Sequence, residues 1–210
     1  MYLCNKTHCP LPTNSKINCI IDTMRKMTET INSKFWHIPN YRAGNILDID
    51  FAQLAKSGIT KVAIDIDGTL LPGGSLGEIV GEYTEHIAKA RKAGHIERLV
   101  VATNRFSVLA RNIGMSLNAD SVVTGSIRTR KPSMRYYRYL LSELGGESKN
   151  TIMIGDKLWQ DIFGSNRAGM YSLLVDDYGP EPFYERVVLH RYRQNKRLKH
   201  LEAKLAKLDE

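Results

Sequence analysis

The chain has 210 residues, 42% of them hydrophobic, and a formal net charge of +8. That length buries a substantial core and fits one domain with appendages, and the lack of any apolar run of about 18 residues argues against a spanning helix. The positive excess points to an anionic partner, whether a membrane surface, a nucleic acid or a phosphorylated substrate; residues 186–210, with eight Lys/Arg against three Asp/Glu, supply most of it.

Residues 1–34 are polar, hold Pro10, Pro12 and Asn14, and read as a peripheral or poorly ordered extension with a short helix around Ile20–Ile31. The three cysteines, Cys4, Cys9 and Cys19, all lie in it. An odd count offers no disulfide framework and fits a reducing compartment. Cys4, His8 and Cys9 make half a metal site at most. No basic start followed by an apolar core is present, so secretion is not expected. Asp22 and Glu29 argue against a transit peptide, although organelle targeting stays open. The expected location is cytoplasmic or peripheral to a membrane.

Phe35–Asn40 is aromatic, ends in a Pro-Asn turn signal and reads as an arm on the core. Phe51–Gly58 (FAQLAKSG) reads as a short helix capped by Asp48 or Asp50 and stopped by Gly58. Lys61–Pro72 (KVAIDIDGTLLP) follows, and the core of 35–185 is organised around it. Val62, Ala63, Ile64 and Ile66 form an apolar run of strand length, with Asp65 and Asp67 at its end. Two carboxylates separated by one residue repel each other and are costly to desolvate, so a cation or a shared proton is expected between them. Helical spacing runs from Glu78 to Ala93 and stops at Gly94. Arg98–Thr103 is a second strand, and Val108–Leu117 a helix. Ser121–Thr124 is a third strand, followed by the basic loop Arg128–Pro132 and a helix from Ser133 to Leu144. Thr151–Ile154 is a strand delivering Gly155 and Asp156, Asp161–Ala168 a helix, and Tyr171–Val175 a last strand. Alternating strands and helices imply right-handed βαβ units and a mostly parallel α/β sheet. Several strands then bring Asp65, Asp67, Thr103, Asn104 and Asp156 to one edge, where parallel sheets bind ligands.

Four ordered motifs carry a resemblance: DIDGT (Asp65–Thr69), the ATN that holds Thr103, Lys131 in RKP, and GDKLWQD with Asp156 and Asp161. Together they resemble the haloacid dehalogenase (HAD) superfamily of phosphohydrolases. ILDID, FAQLAKSGITKVAIDIDGTLLP and GDKLWQDIFGSNRAGMYSLLV narrow it to the YqeG-type branch of subfamily IIIA, related to phosphatidylglycerophosphate phosphatases. The resemblance covers roughly residues 35–200. It implies a HAD-like Rossmannoid three-layer sandwich without a sizeable cap, because one helix and one strand fill most of each gap where a cap would be inserted. One departure is DIDGT where the branch often has DIDNT; it falls on a turn residue and is not expected to disturb catalysis.

The resemblance also implies roles. Asp65 would be the nucleophile and Asp67 the acid and base. Thr103, Asn104, Lys131 and Arg130 would meet the phosphoryl group, and Mg²⁺ would be held by Asp65, the Asp67 carbonyl and Asp156. Asp161 would orient either the metal shell or Lys131, or merely start a helix. Carboxylate oxygens suit a hard cation, and a carboxylate attacking phosphate needs the charge neutralised. An open site suits a substrate whose bulk stays outside, such as a lipid headgroup. From Arg186 to His200 there are six Lys/Arg and no acid, and Leu198, Leu201, Leu205 and Leu208 mark one stripe, so 186–210 reads as a basic amphipathic helix. Such a helix can lie on anionic lipid, at about 1 kcal/mol per basic residue near the surface, or dock its leucines on protein. The expected function is dephosphorylation of phosphatidylglycerophosphate at a membrane. The alternatives are a soluble phosphometabolite or phosphoprotein as substrate, and a nucleic-acid or ribosome-associated role on the same fold. Tyr136, Tyr137 and Tyr139 among arginines suit base stacking, but paired Asp65 and Asp67 argue against anion binding alone.

Overall fold

Val62, Ala63 and Ile64 are each at most 2% exposed, so the continuous apolar run of the central strand reflects burial on both faces. A computed structural model of the protein describes residues 36–105, 108–126 and 128–179. The cysteine-bearing extension, the expected helix near Ile20–Ile31 and the basic segment 186–210 lie outside the described residues.

Six strands, β1 (Tyr41–Ala43), β2 (Lys61–Ile64), β3 (Arg98–Thr103), β4 (Ser121–Thr124), β5 (Thr151–Gly155) and β6 (Tyr171–Val175), form one sheet in the order β1-β6-β5-β2-β3-β4. Every pairing is parallel. Among the described residues five α-helices accompany them: α1 (Phe51–Lys56), α2 (Gly81–Lys92), α3 (Val108–Ser116), α4 (Met134–Glu143) and α5 (Phe163–Arg167). None of the described helices is long and apolar enough to cross a membrane.

The period-2 alternation of strands sorts the core into two layers. Val62, Ile64, Leu99, Val101, Ile152 and Ile154 face Phe51, Leu54, Tyr83, Ile87, Ala110 and Ile113 of α1 to α3. Ala63, Val100, Ala102 and Met153 face Tyr136, Tyr137 and Leu140 of α4. Each fully buried aliphatic side chain contributes about 1.5–3 kcal/mol, so the two faces together hold the sheet between its helices. This is the expected three-layer α/β sandwich. In the described residues between Asp67 and Arg98 there is a loop and α2, with no room for a folded cap.

Local signals set most boundaries. Asp50 caps α1 by accepting from Gln53 N at 2.9 Å, and Ser133 caps α4 by accepting from Tyr136 N at 3.2 Å. The helix expected from Glu78 starts only at Gly81, because Val80 is extended, with ψ 130°, and offers no side-chain cap. The described part of the aromatic arm, residues 36–40, does pack on the core: Asn166 Nδ2 donates to Trp36 O and Ile38 O, at 2.8 and 2.9 Å, and His37 stacks on Phe163 at 4.6 Å. It leads into β1, which no sequence signal announced. Three residues are too few to show a period, and their place is set by Asn40, whose Oδ1 accepts from Ser172 N at 2.9 Å.

Candidate active site

The sheet register builds the site. Ile64 pairs with Ile154, and Asp65 N donates to Ile154 O at 2.9 Å, so Asp65 and Asp156 leave adjacent strands side by side. β2 has β3 on one side and β5 on the other, which is the point where the strand order reverses and a crevice opens at the carboxyl edge. Asp65 shares parity with Ala63 and therefore points to the α4 face. Lys131, just ahead of α4, meets it there.

Lys131 is the centre of the cluster. Its Nζ lies 2.8 Å from Asp65 Oδ1 and 2.6 Å from Asp161 Oδ1, and donates to Ala102 O at 2.9 Å. The three donors of the ammonium are thus all used. Burial by itself pushes the Lys131 pKa down, but the carboxylates of Asp161 and Asp65 outweigh it and the net shift is upward. For Asp65 the balance differs: burial pushes its carboxyl up to about 6, against the pull of Lys131 and with the help of Asp161. Burial also raises Asp161, with Lys131 opposing.

Asp161 is held from both sides, since its Oδ2 accepts from Lys157 N at 3.0 Å. The helix expected over Asp161–Ala168 begins earlier, with a π-turn over Leu158–Ile162 that continues into α5. Ile162 N reaches back to Lys157 O at 3.4 Å, and such wide turns often sit at functional sites. The turn brings the Asp161 carboxylate over Gly155, where a Cβ would lie 2.4 Å from Asp161 Cγ. Of the two roles expected for Asp161, contact with Lys131 is thus seen directly.

Asp65, Asp156 and Asp161 each offer one oxygen, all within 4.8 Å of one another. Three buried carboxylates gather around the Lys131 ammonium, and an all-oxygen set suits Mg²⁺ or another hard divalent cation. The Asp67 side chain does not join them. Arg105 Nε donates to its Oδ2 at 3.1 Å, Arg105 Nη2 donates to its Oδ1, and Gly74 N donates to Oδ1 at 3.1 Å. Any part of Asp67 in cation binding falls to its main-chain carbonyl.

Gly68 contributes more than a turn. Its φ is +79°, and a Cβ there would sit 2.3 Å from Asp156 Oδ2 and 2.7 Å from Asp177 Oδ1. The departure from DIDNT therefore falls on the wall of the carboxylate cluster. Gly68→Ala is expected to cost about 1–3 kcal/mol through the positive φ and to weaken Mg²⁺ binding roughly tenfold by displacing Asp156. Urea melts and calorimetric Mg²⁺ titration of the variant check both.

Thr103 is buried, and its Oγ1 accepts from Arg105 N at 3.0 Å, which leaves the hydroxyl hydrogen to donate. Asn104 works on the protein: its Oδ1 accepts from Lys131 N at 2.8 Å, and its Nδ2 donates to Lys131 O at 3.1 Å and Gln160 Oε1 at 3.0 Å. It ties the Lys131 loop to the Asp156–Asp161 segment. Arg130 is exposed; the structure brings it beside the cluster in sequence but shows no bond from it to the carboxylates. Arg105 and Gln160 escaped the sequence reading. The signal for Arg105 was available, a cation directly after the ATN motif; Gln160 had none, since its partner is remote in sequence. Tyr136 and Tyr137 are not stacking residues. Both are buried, with hydroxyls donating to Val123 O at 3.0 Å and Gln160 O at 2.7 Å.

Residues 128–179 match the HAD-hydrolase-like family model. A curated relative, the glyceraldehyde 3-phosphate phosphatase of Methanothermobacter thermautotrophicus, is 34% identical over 58 residues, 27% of this chain and 26% of its own. The chain thus spans about a quarter of that relative's length. Among solved structures, an uncharacterized protein from Listeria monocytogenes serotype 4b is 17% identical at a TM-score of 0.46, covering 59% of this chain and 86% of its own. A HAD phosphatase from Thermococcus onnurineus is 22% identical at a TM-score of 0.42, covering 50% of each chain. The family match falls on the stretch that carries Lys131, Asp156 and Asp161, and it supports a place for this chain in the HAD superfamily of hydrolases.

Proposed function

We propose that the protein is a Mg²⁺-dependent phosphomonoester hydrolase that works through an aspartyl-phosphate on Asp65. The observation that carries the reading is the buried Lys131 bridging Asp65 and Asp161, with Asp156 alongside at the carboxyl edge of the sheet. A buried, multiply charged cluster of this kind costs stability and is retained at sites that need it. Asp65 attacks phosphorus, and its new bond forms as the bond to the leaving oxygen breaks; Asp67 gives that oxygen a proton. In the second half, water bonds to phosphorus, Asp67 takes its proton, and the Asp65–phosphorus bond breaks. Lys131 and the Thr103 hydroxyl offset the charge on the phosphoryl oxygens. Asp65, Asp156 and Asp161 would hold Mg²⁺, which supplies neutralisation of the phosphate charge when bound.

The substrate proposed is phosphatidylglycerophosphate at a membrane surface. The absence of a cap among the described residues and the basic composition of 186–210 support it. A soluble phosphometabolite or phosphoprotein is the second reading, and the name of the curated relative, a glyceraldehyde 3-phosphate phosphatase, speaks for it. Nucleic acid is the weakest partner, since of the three tyrosines that suggested stacking only Tyr139 is exposed. Phosphate release from phosphatidylglycerophosphate in mixed micelles with Mg²⁺, beside a panel of soluble esters, tests the assignment. Preferential lipid turnover is expected; turnover of soluble esters alone would leave a phosphatase and remove the lipid.

A further inference from the structure

Asp67 has a partner that the catalytic set does not include. The Arg105 guanidinium meets its carboxylate as a fork, Nε on Oδ2 at 3.1 Å and Nη2 on Oδ1. Its remaining terminal nitrogen, Nη1, donates to Ser75 O. Both side chains are largely withdrawn from solvent, 16% and 19% exposed, where a two-pronged contact is stronger and more directional than at the surface. Gly74 N, from the same loop as Ser75, closes on Oδ1.

An ionised carboxylate has about four acceptor positions, two on each oxygen. On Oδ1 both are taken, by Arg105 Nη2 and Gly74 N. On Oδ2 one is taken, by Arg105 Nε, and among the described residues one is left. A proton delivered to or taken from Asp67 therefore has a single oxygen and a single direction open to it. Arg105 itself is anchored by its main-chain N on Thr103 Oγ1, so the fork is referenced to the end of β3 rather than to the loop alone.

We propose that Arg105 is the positioning residue for the acid–base carboxylate: its fork fixes the plane of Asp67, leaves Oδ2 as the oxygen that exchanges the proton, and binds the 72–77 loop around it. This rests on the phosphohydrolase reading above. Arg105 does not act on the phosphoryl group, and its effect runs through Asp67. The step it governs is proton transfer to the leaving oxygen as the phosphorus–oxygen bond breaks, and from water as the Asp65–phosphorus bond breaks.

Esters with different leaving groups isolate that step. p-Nitrophenolate departs without a proton, whereas the alkoxide of glycerol 3-phosphate needs one. With full-length protein and Mg²⁺, Arg105→Met is expected to lower kcat on glycerol 3-phosphate about 100-fold with KM held within about threefold. On p-nitrophenyl phosphate it should keep a rapid first release of p-nitrophenol, followed by slow turnover as phosphorylated Asp65 accumulates, because water still needs the base. Arg105→Lys keeps the charge but not the fork, and is expected to resemble Arg105→Met on both esters. It also carries the test if circular dichroism finds Arg105→Met unfolded. Equal losses on both esters without a burst would overturn the proposal and leave Arg105 as a loop anchor, as would full activity in Arg105→Lys. A wild-type protein inert on both esters and on phosphatidylglycerophosphate in mixed micelles would instead overturn the phosphohydrolase reading.

Discussion

Replacing Lys131 with methionine is expected to cost the fold about 3–5 kcal/mol at neutral pH and to abolish ester turnover. Methionine fills similar space, so the loss comes from charge. Lys131 Nζ is the shared partner of Asp65 and Asp161, 2.8 and 2.6 Å away, and both carboxylates are buried. Without the ammonium they face burial and each other with nothing to offset either. Their folded pKa values, already raised with Lys131 present, rise further. A carboxyl group whose folded pKa lies above its unfolded value of about 4 supports the fold below that pH and withdraws the support as the pH climbs through the folded pKa. The variant should therefore lose stability steadily from about pH 4 through 6 and beyond. The native Lys131 shift is also upward, so its contribution is present throughout that range and fades only above about pH 10.4. Urea melts at pH 5 and pH 7.5 without metal give the comparison, and adding Asp161→Asn should recover part of the loss at the higher pH. A deficit equal at both pH values would mean that packing, not charge, sets it.

Asp65→Asn should behave in the opposite way, removing activity while sparing the fold. Loss of the nucleophile is expected to drop turnover by about 10⁴-fold or more, toward what the remaining groups support. The metal-free melting temperature at pH 7.5 should stay at or above that of the native protein. The reason is again the sign of the shift. Burial holds the Asp65 carboxyl up near 6, so its ionised form burdens the fold at neutral pH, and an amide of the same shape lifts that burden. Lys131 keeps Asp161 and Ala102 O as partners. For the same reason the native protein should bind Mg²⁺ more weakly as the pH falls through about 6, since protons and metal compete for Asp65. In Asp65→Asn that part of the pH dependence should vanish. A variant that is both inactive and clearly less stable would point to Asp65 as a structural ion-pair partner instead.

The aspartates illustrate where sequence reading succeeded. An apolar run of strand length, ending in Asp-x-Asp-Gly, locates a strand terminus whatever the rest of the chain does, and the same holds for Thr103 and for Gly155-Asp156. Lys131 was legible through the order of motifs. Its burial was not, because a lysine in a basic loop ordinarily stays in water. Asn104 shows the limit from another side: a polar residue at a strand end invites a role toward ligand, but both ends of its amide are spent on Lys131 and Gln160.

From its own residues the chain determined the alternation of strands and helices, the parallel sheet, and which carboxylates stand at strand ends, because periodicity and strand-end chemistry are local. Only the tertiary structure decided how those groups pair. The strand order set Asp65 beside Asp156, the π-turn swung Asp161 onto Lys131, and the packing of β3 against the 72–77 loop gave Asp67 to Arg105. Lys131 and Asp161 lie 30 residues apart along the chain, and Asp67 and Arg105 lie 38 apart. Charge pairing acts through space at hydrogen-bond range, and no pattern along the sequence encodes it.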